Sequence, residues 1–330
     1  MEDIYKKILW EGYGLHYYGG TRTRTGLLCK TDRGLGELKK ARVPKEGILF
    51  AHDMKKGLRE NGFSGICLFF STVDGQPFYR WDNTCYILEE PLPPQNMEEQ
   101  KAETFLLGAA ALGNMHRCGR GCHSAYAKWN QDRLPVYFAK RHSELAKIRK
   151  RIQRSCSYSP MDLIVLKEYS RFMENMEQAQ SLLAEAEYGV LVAKTQEAGG
   201  FFHDSFKGDH LRMAEDGRVF VGGFEKCSAD VPALDLAAYL RRFMRKTEGD
   251  RAVLEGMLQA YEAACPLSRE ERQLVLAMVA FPDRFIKLIH TFYNKRQVCV
   301  SPAMQERLEE AVQESMEAQR LLHILQGLWG

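Results

Sequence analysis

Apolar positions come in short runs broken by turn residues over the first 90 residues, and recur at helical spacing over long stretches beyond them. Gly26 to Lys30 and Gly36 to Arg42 are strand-like runs joined by a Thr31-Asp32-Arg33-Gly34 turn. From Lys45 to Asn61 the spacing of Ile48, Leu49, His52, Met54 and Leu58 predicts an amphipathic helix, stopped by Gly62. Ile66 to Ser71 then reads as a strand. Asp74-Gly75 is a hairpin signal with Phe78 to Trp81 as its partner, and Asp82-Asn83 turns the chain into Thr84 to Leu88. Pro91, Pro93 and Pro94 interrupt the pattern. Beyond them, helices are predicted over Met97 to His116, Leu134 to Arg154, Pro160 to Glu187 and Tyr188 to Glu197. Ser159 followed by Pro160 and Asp162 is a helix start, with an N-cap serine and an early carboxylate. Ser268 with Glu271 has the capping-box spacing. Two segments break the helical run: Phe201 to Leu211, irregular and rich in His and Asp, and a strand at Arg218 to Phe224 after the Asp216-Gly217 turn. The expected class is α+β, with a β-rich part at 1–90, a hinge at 91–95 and a helical part at 96–330.

Composition alters this picture little. A formal net charge of +3 on 330 residues gives no case for nucleic acid as a partner. The basic residues between Lys140 and Arg154 read as a solvated helix face. No apolar run approaches the roughly 20 residues of a membrane span. The start, Met1-Glu2-Asp3-Ile4-Tyr5-Lys6-Lys7, lacks the order of a signal peptide, so synthesis in a cytoplasm is expected. Nine cysteines without regular spacing read as thiols rather than a disulfide framework. His116, Cys118, Cys122 and His123 are zinc-type ligands, but their spacing matches no common finger, and the end of a packed helix is the expected reading.

A β-rich part, a hinge and a helical part is also the plan of protein kinases and aminoglycoside phosphotransferases. Phosphoryl transfer in that plan needs a lysine on the third strand, an Asp to orient the nucleophile, and an Asn and a second Asp for Mg²⁺. The stretch His203-Asp204-Ser205-Phe206-Lys207-Gly208-Asp209-His210, followed by Val219-Phe220-Val221-Gly222-Gly223-Phe224-Glu225, resembles the His-x-Asp-x-x-x-x-Asn and strand-Asp pattern of the antibiotic kinases in frame. Ser205 falls at the catalytic Asp, His210 at the metal-binding Asn and Gly223 at the metal-binding Asp. His203 and Glu225 match their counterparts. Asp230 to Ala237 resembles the Asp-x-x-x-x-Asp-Leu-Ala helix start, which implies that Asp235 reaches back to the loop around His203.

Leu27 to Lys39, Asn61-Gly62-Phe63, Tyr86-Ile87-Leu88, Ala111 to His116, Leu267 to Glu271, Phe281 to Phe285 and Tyr293-Asn294 together resemble the CotS-type spore-coat proteins, kinase-like proteins of endospore-forming bacteria. The resemblance implies a two-lobed kinase-like fold, assembly with other spore-coat proteins, and a route from the cytoplasm to the coat. Within it, Lys39 is the candidate phosphate-holding lysine and Glu46 the helix carboxylate that would pair with it. Glu89 and Glu90 stand where nucleotide would meet the hinge. Gly12-Tyr13-Gly14 matches only part of a phosphate-cradling loop, with no third glycine at the right spacing, and by itself reads as an ordinary turn.

Ser205 has no carboxylate to accept a proton, Gly223 has none to bridge metal and phosphate, and an imidazole at 210 is a poor ligand for Mg²⁺. The expected reading is a pseudokinase with a structural or assembly role, for which ATP and Mg²⁺ are doubtful cofactors. The alternative is an active ATP-dependent phosphotransferase, acting on a small hydroxylated molecule or a protein, with Asp204, Asp209 and Glu225 as a rearranged metal site.

Overall fold

The computed structural model describes residues 2–98, 101–247, 249–294 and 302–330. Helix α1 (Glu2–Lys7) runs on through a wide π-type turn at Ile8–Gly12 and precedes β1 (Tyr17–Arg22), β2 (Leu27–Thr31) and β3 (Gly34–Lys40). Next come α2 (Lys45–Glu60), β4 (Tyr79–Trp81), β5 (Thr84–Glu89), β6 (Gln95–Asn96), α3 (Ala102–Gly119), α4 (Arg133–Gln153), α5 (Pro160–Glu185) and α6 (Tyr188–Ala198). The chain continues through β7 (Leu211–Met213), β8 (Val219–Val221), α7 (Ala233–Lys246), α8 (Arg251–Glu262), α9 (Arg269–Ala280), α10 (Asp283–Asn294) and α11 (Pro302–Trp329).

These elements form two compact units. One holds the residues up to Trp129 with Thr195–Asp235 and Gln259–Cys265; the other holds Asn130–Lys194, Leu236–Leu258 and Pro266–Gly330. In the first, an antiparallel sheet runs in the order β1-β2-β3-β5-β4, beside a smaller sheet β6-β7-β8. Period-two alternation gives the large sheet two different faces. Leu27, Cys29, Leu38 and Leu88 pack against Ile8, Leu9, Tyr13 and Leu15 of the N-terminal segment. The alternate positions of β3 and β5 place Glu37, Lys39 and Glu89 on the other face. The second unit is helical, with the Phe138 and Phe281 rings stacked at 3.9 Å and Phe172 on Phe285 at 3.7 Å. Both predicted caps are formed: Ser159 with Asp162 opens α5 and Ser268 with Glu271 opens α9, each as a reciprocal capping box.

Several local expectations change. β1 was not foreseen, because its exposed Gly19-Gly20 pair carries no apolar alternation. Ile66 to Ser71 is not a ladder strand: only Ile66 and Phe69 make isolated bridges. Phe70 N–H reaches Leu88 O, but Leu68 N–H is taken by the Glu90 carboxylate at 2.9 Å, which breaks the repeat. The helix expected from Met97 begins at Ala102, since β6 pairs with β7 and Met97 N–H donates to Leu211 O; residues 99–100 lie outside the described residues. The strand expected over Arg218 to Phe224 is confined to Val219–Val221, because Gly223 turns left-handed at φ 80°. Gly12-Tyr13-Gly14, expected as an ordinary turn, is also a packing element. A Cβ at Gly12 would lie 2.5 Å from the Tyr79 ring, and Tyr13 Oη is bonded to Tyr86 O and Leu88 N.

Candidate functional site

All the candidate site residues lie in the first unit. Lys39, on β3, extends its ammonium to Glu89 Oε2 at 2.7 Å and Glu37 Oε2 at 3.1 Å. Glu37 and Glu89 are direct cross-strand partners, an arrangement that repels unless a cation separates them. Lys39 supplies that cation. A second ammonium, Lys55 on α2, bonds the other oxygen of Glu89 and lies over the Phe69 ring at 4.1 Å and the Phe224 ring at 5.4 Å. Burial works against the charge on Lys39, yet Glu89 and Glu37 outweigh it and raise its pKa. Burial likewise opposes ionisation of Glu89, and Lys55 with Lys39 overcome it and lower its pKa. The cluster is a closed set of two cations and two anions.

Glu46 does not pair with Lys39. It sits in the first turn of α2 with Lys45 Nζ at 3.9 Å, and both side chains are well exposed. The residue that α2 directs into the cluster is Lys55, which sequence reasoning missed. The signal was present: Lys55 lies four residues beyond Ala51 and three before Leu58, on the stripe that buries Ile48, Ala51 and Leu58. Glu90 faces away from the cluster, bonded to Arg59 at 3.0 Å and to Leu68 N–H.

The loop after Phe202 is anchored from beneath. Asp235, 1% exposed in the first turn of α7, accepts from His203 N–H at 2.7 Å and Asp204 N–H at 3.0 Å. The same carboxylate faces His116 Nε2 at 3.4 Å, while His116 Nδ1 meets the Tyr261 hydroxyl at 2.8 Å. His116 is thus a buried member of this anchor. Cys122, from the same sequence cluster, packs against Gly57 on α2, where an added Cβ would stand 2.5 Å from its Sγ. His203 is wholly buried: its Nε2–H donates to Gly222 O at 3.1 Å and its Nδ1 accepts from Ser205 N–H at 3.2 Å. Burial lowers its pKa to about 4, consistent with partners that suit only the neutral ring. Asp204 holds a left-handed backbone at φ 54°, a strained conformation for a residue with a Cβ.

The far end of the loop is filled by its own side chains. His210 Nδ1–H donates to Ser205 O at 2.8 Å, with Ser205 Oγ at 3.1 Å. Burial holds this imidazole below its ordinary pKa. A Cβ built on Gly223 would fall 2.1 Å from His210 Nδ1. The histidine ring therefore fills the space into which a side chain at 223 would project. His210 and Gly223 are sterically one substitution. Asp209 points away, to Arg24 at 3.2 Å and Lys207 at 3.8 Å. Among the described residues no three His, Cys, Asp or Glu side chains gather as a metal ion requires.

The family model described as "Spore coat putative kinase YutH" matches residues 6–325. The chain belongs to that spore-coat family. Spore coat protein S of Bacillus subtilis (strain 168) is 25% identical over 272 residues, covering 81% of this chain and 77% of its own. An aminoglycoside phosphotransferase from Alicyclobacillus acidocaldarius subsp. acidocaldarius DSM 446 aligns at TM-score 0.81 and 18% identity, over 96% of this chain and 94% of its own. AMP-bound spectinomycin phosphotransferase, APH(9)-Ia, aligns at TM-score 0.59 and 12% identity, over 95% and 98% of the two chains. At these identities the structural matches establish an α+β fold of the aminoglycoside phosphotransferase, kinase-like type. The residues at the positions that the kinase-like pattern gives to Mg²⁺ ligands do not fit that ion. Mg²⁺ asks for hard oxygen ligands in a set geometry, and the two ligand positions hold an imidazole and a glycine whose space that imidazole occupies.

Proposed function

We propose that the protein is a spore-coat pseudokinase, made in the cytoplasm and carried into the coat, where it binds other coat proteins as a structural or assembly component. The observation that carries this reading is the His210 ring standing where a metal-binding side chain at 223 would begin. Ser205 at the catalytic Asp position removes the carboxylate that would orient a nucleophile, and catalytic losses of this kind overlap rather than add. The coat destination rests on family membership and on the relative named Spore coat protein S. Among the described residues no helix is long and apolar enough to cross a membrane. Within this reading the kinase-like lobes are 1–90 and 96–330, with 91–95 as the hinge.

Two measurements test it. Purified full-length protein, incubated with Mg-ATP and aminoglycosides, choline-like alcohols or generic protein substrates, is expected to transfer no phosphate. Metal-dependent turnover abolished by Asp204→Ala or Glu225→Ala would replace this reading with that of a phosphotransferase. Immunodetection is expected to find the protein in purified spores. Its presence in vegetative cells and absence from spores would remove the coat assignment.

A further inference from the structure

The loop between β1 and β2, Thr23 to Gly26, occupies the position from which kinase folds cover the phosphates of a nucleotide, next to the lysine on the third strand. Here the loop already holds an anion. Glu37 Oε1 accepts from the Thr23 hydroxyl at 2.6 Å and from the Thr25 hydroxyl at 2.5 Å. Its other oxygen, Oε2, receives the Lys39 ammonium at 3.1 Å. The loop is shaped for this grip: Thr23 Oγ accepts from Gly26 N–H at 2.9 Å, and Thr23 N–H donates to Gly26 O at 3.0 Å. The loop tip is tied down again by Arg24, which reaches Asp209 of the His203 loop at 3.2 Å. Glu37 itself is 8% exposed, so its negative charge is enclosed by these donors rather than by water.

Two loop hydroxyls and the third-strand lysine are the donors that would meet a phosphate oxygen. The two hydroxyls are spent on a carboxylate that belongs to the chain, and the lysine is divided between that carboxylate and Glu89. We infer that Glu37 is a tethered occupant of the phosphate position, closing the β1–β2 loop over an internal carboxylate and excluding polyphosphate ligands. An entering polyphosphate would have to displace a side chain held at high effective concentration by its own strand, and would face its negative charge if it did not. This inference rests on the reading of the site as a kinase-type site without chemistry, but it concerns anion binding and is tested without metal or turnover.

The test is metal-free titration calorimetry of full-length protein with ADP and with tripolyphosphate, on the wild type, Glu37→Ala and Glu37→Gln. The wild type is expected to show no saturable binding at millimolar probe. Glu37→Ala is expected to bind tripolyphosphate and ADP at least about tenfold more tightly, a lower bound well under the full strength of one like-charge contact near a protein surface. Adding Lys39→Met to Glu37→Ala is expected to abolish the gain. Glu37→Gln, which keeps the shape and removes the charge, supplies the answer if the alanine variant does not fold. A folded Glu37 variant that binds no more tightly than wild type would overturn the inference, as would wild-type protein that binds either probe as well as the variants do. Phosphate transfer by the wild type with Mg-ATP would overturn the proposed function and this inference together, whereas metal-free binding of either probe without transfer overturns the inference alone, so the two failures are distinguishable.

Discussion

The two ends of the loop from His203 to His210 differ in what their residues need. At the near end, His203 and Asp204 are held by Asp235, and every partner in the anchor belongs to the chain: Gly222, Ser205, His116 and Tyr261. At the far end, His210 bonds Ser205 and its ring fills the space beside Gly223. The near end is tied to α7 through Asp235, and the far end is filled with its own imidazole. Contacts that stabilise the chain by themselves are independent of catalysis; positions that matter only with ligand are not. On the proposed reading, the contrast separates a scaffold from the chemistry it would otherwise carry.

The largest effect should follow from cutting the anchor. Asp235→Ala removes the acceptor of the buried His203 N–H and of the part-buried Asp204 N–H, and hydrogen bonds to a charged group contribute roughly 1.5–3 kcal/mol each. A loss of about 3 kcal/mol or more is expected in denaturant melts, with Asp235→Asn losing less because one carbonyl acceptor remains. A loss under about 1 kcal/mol in both variants would reduce Asp235 to an ordinary helix-start carboxylate.

Acid probes the same anchor through His203. An unfolded histidine takes up a proton near pH 6.5, whereas the folded ring does so only at about 4. Between those values the unfolded chain binds more protons, so stability falls as pH drops. The contribution is complete above about 6.5 and gone by about 4, on the order of 3 kcal/mol in all. NMR of the His203 imidazole at pH 5.5 should find it neutral. A ring titrating near 6.5 would break the argument.

The smallest effect belongs to the far end. Gly223→Asp drives a Cβ into His210 and places a branched centre at positive φ, which should cost about 1–3 kcal/mol. Combining it with His210→Asn should recover part of that loss by vacating the space. If the single variant melts with the wild type, the two positions are not sterically linked.

The reach of sequence reasoning follows the range of the interactions involved. The starts of α5 and α9 were legible because a capping box is written within four residues. The Asp82-Asn83 turn was legible too, and both residues do adopt positive φ, at 43° and 58°. The frame from His203 to Glu225, and Asp235 after it, could be read from spacing against a known pattern. What escaped were contacts between residues distant in the chain. Lys55 was passed over because a lysine in a helix is ordinarily solvated, and its partner Glu89 is 34 residues away. Glu37 drew no notice because nothing in β3 alone shows that Thr23 and Thr25 close over it. The link between His210 and Gly223 has no sequence signal, since it is a matter of which atom fills one small volume.

The opposed carboxylates of Glu37 and Glu89 also bear on how the first unit assembles. Pairing β3 with β5 brings two negative charges face to face, and Lys39 alone must then serve both. Lys55 arrives only when α2 docks, since it is carried on that helix. The strand pair and the helix are therefore mutually dependent: neither can bury its charge until the other is in place. Such a set of elements forms and opens as one cooperative unit. The chain has made the gathering of four charged side chains, rather than an apolar contact alone, the step that commits its sheet to one register.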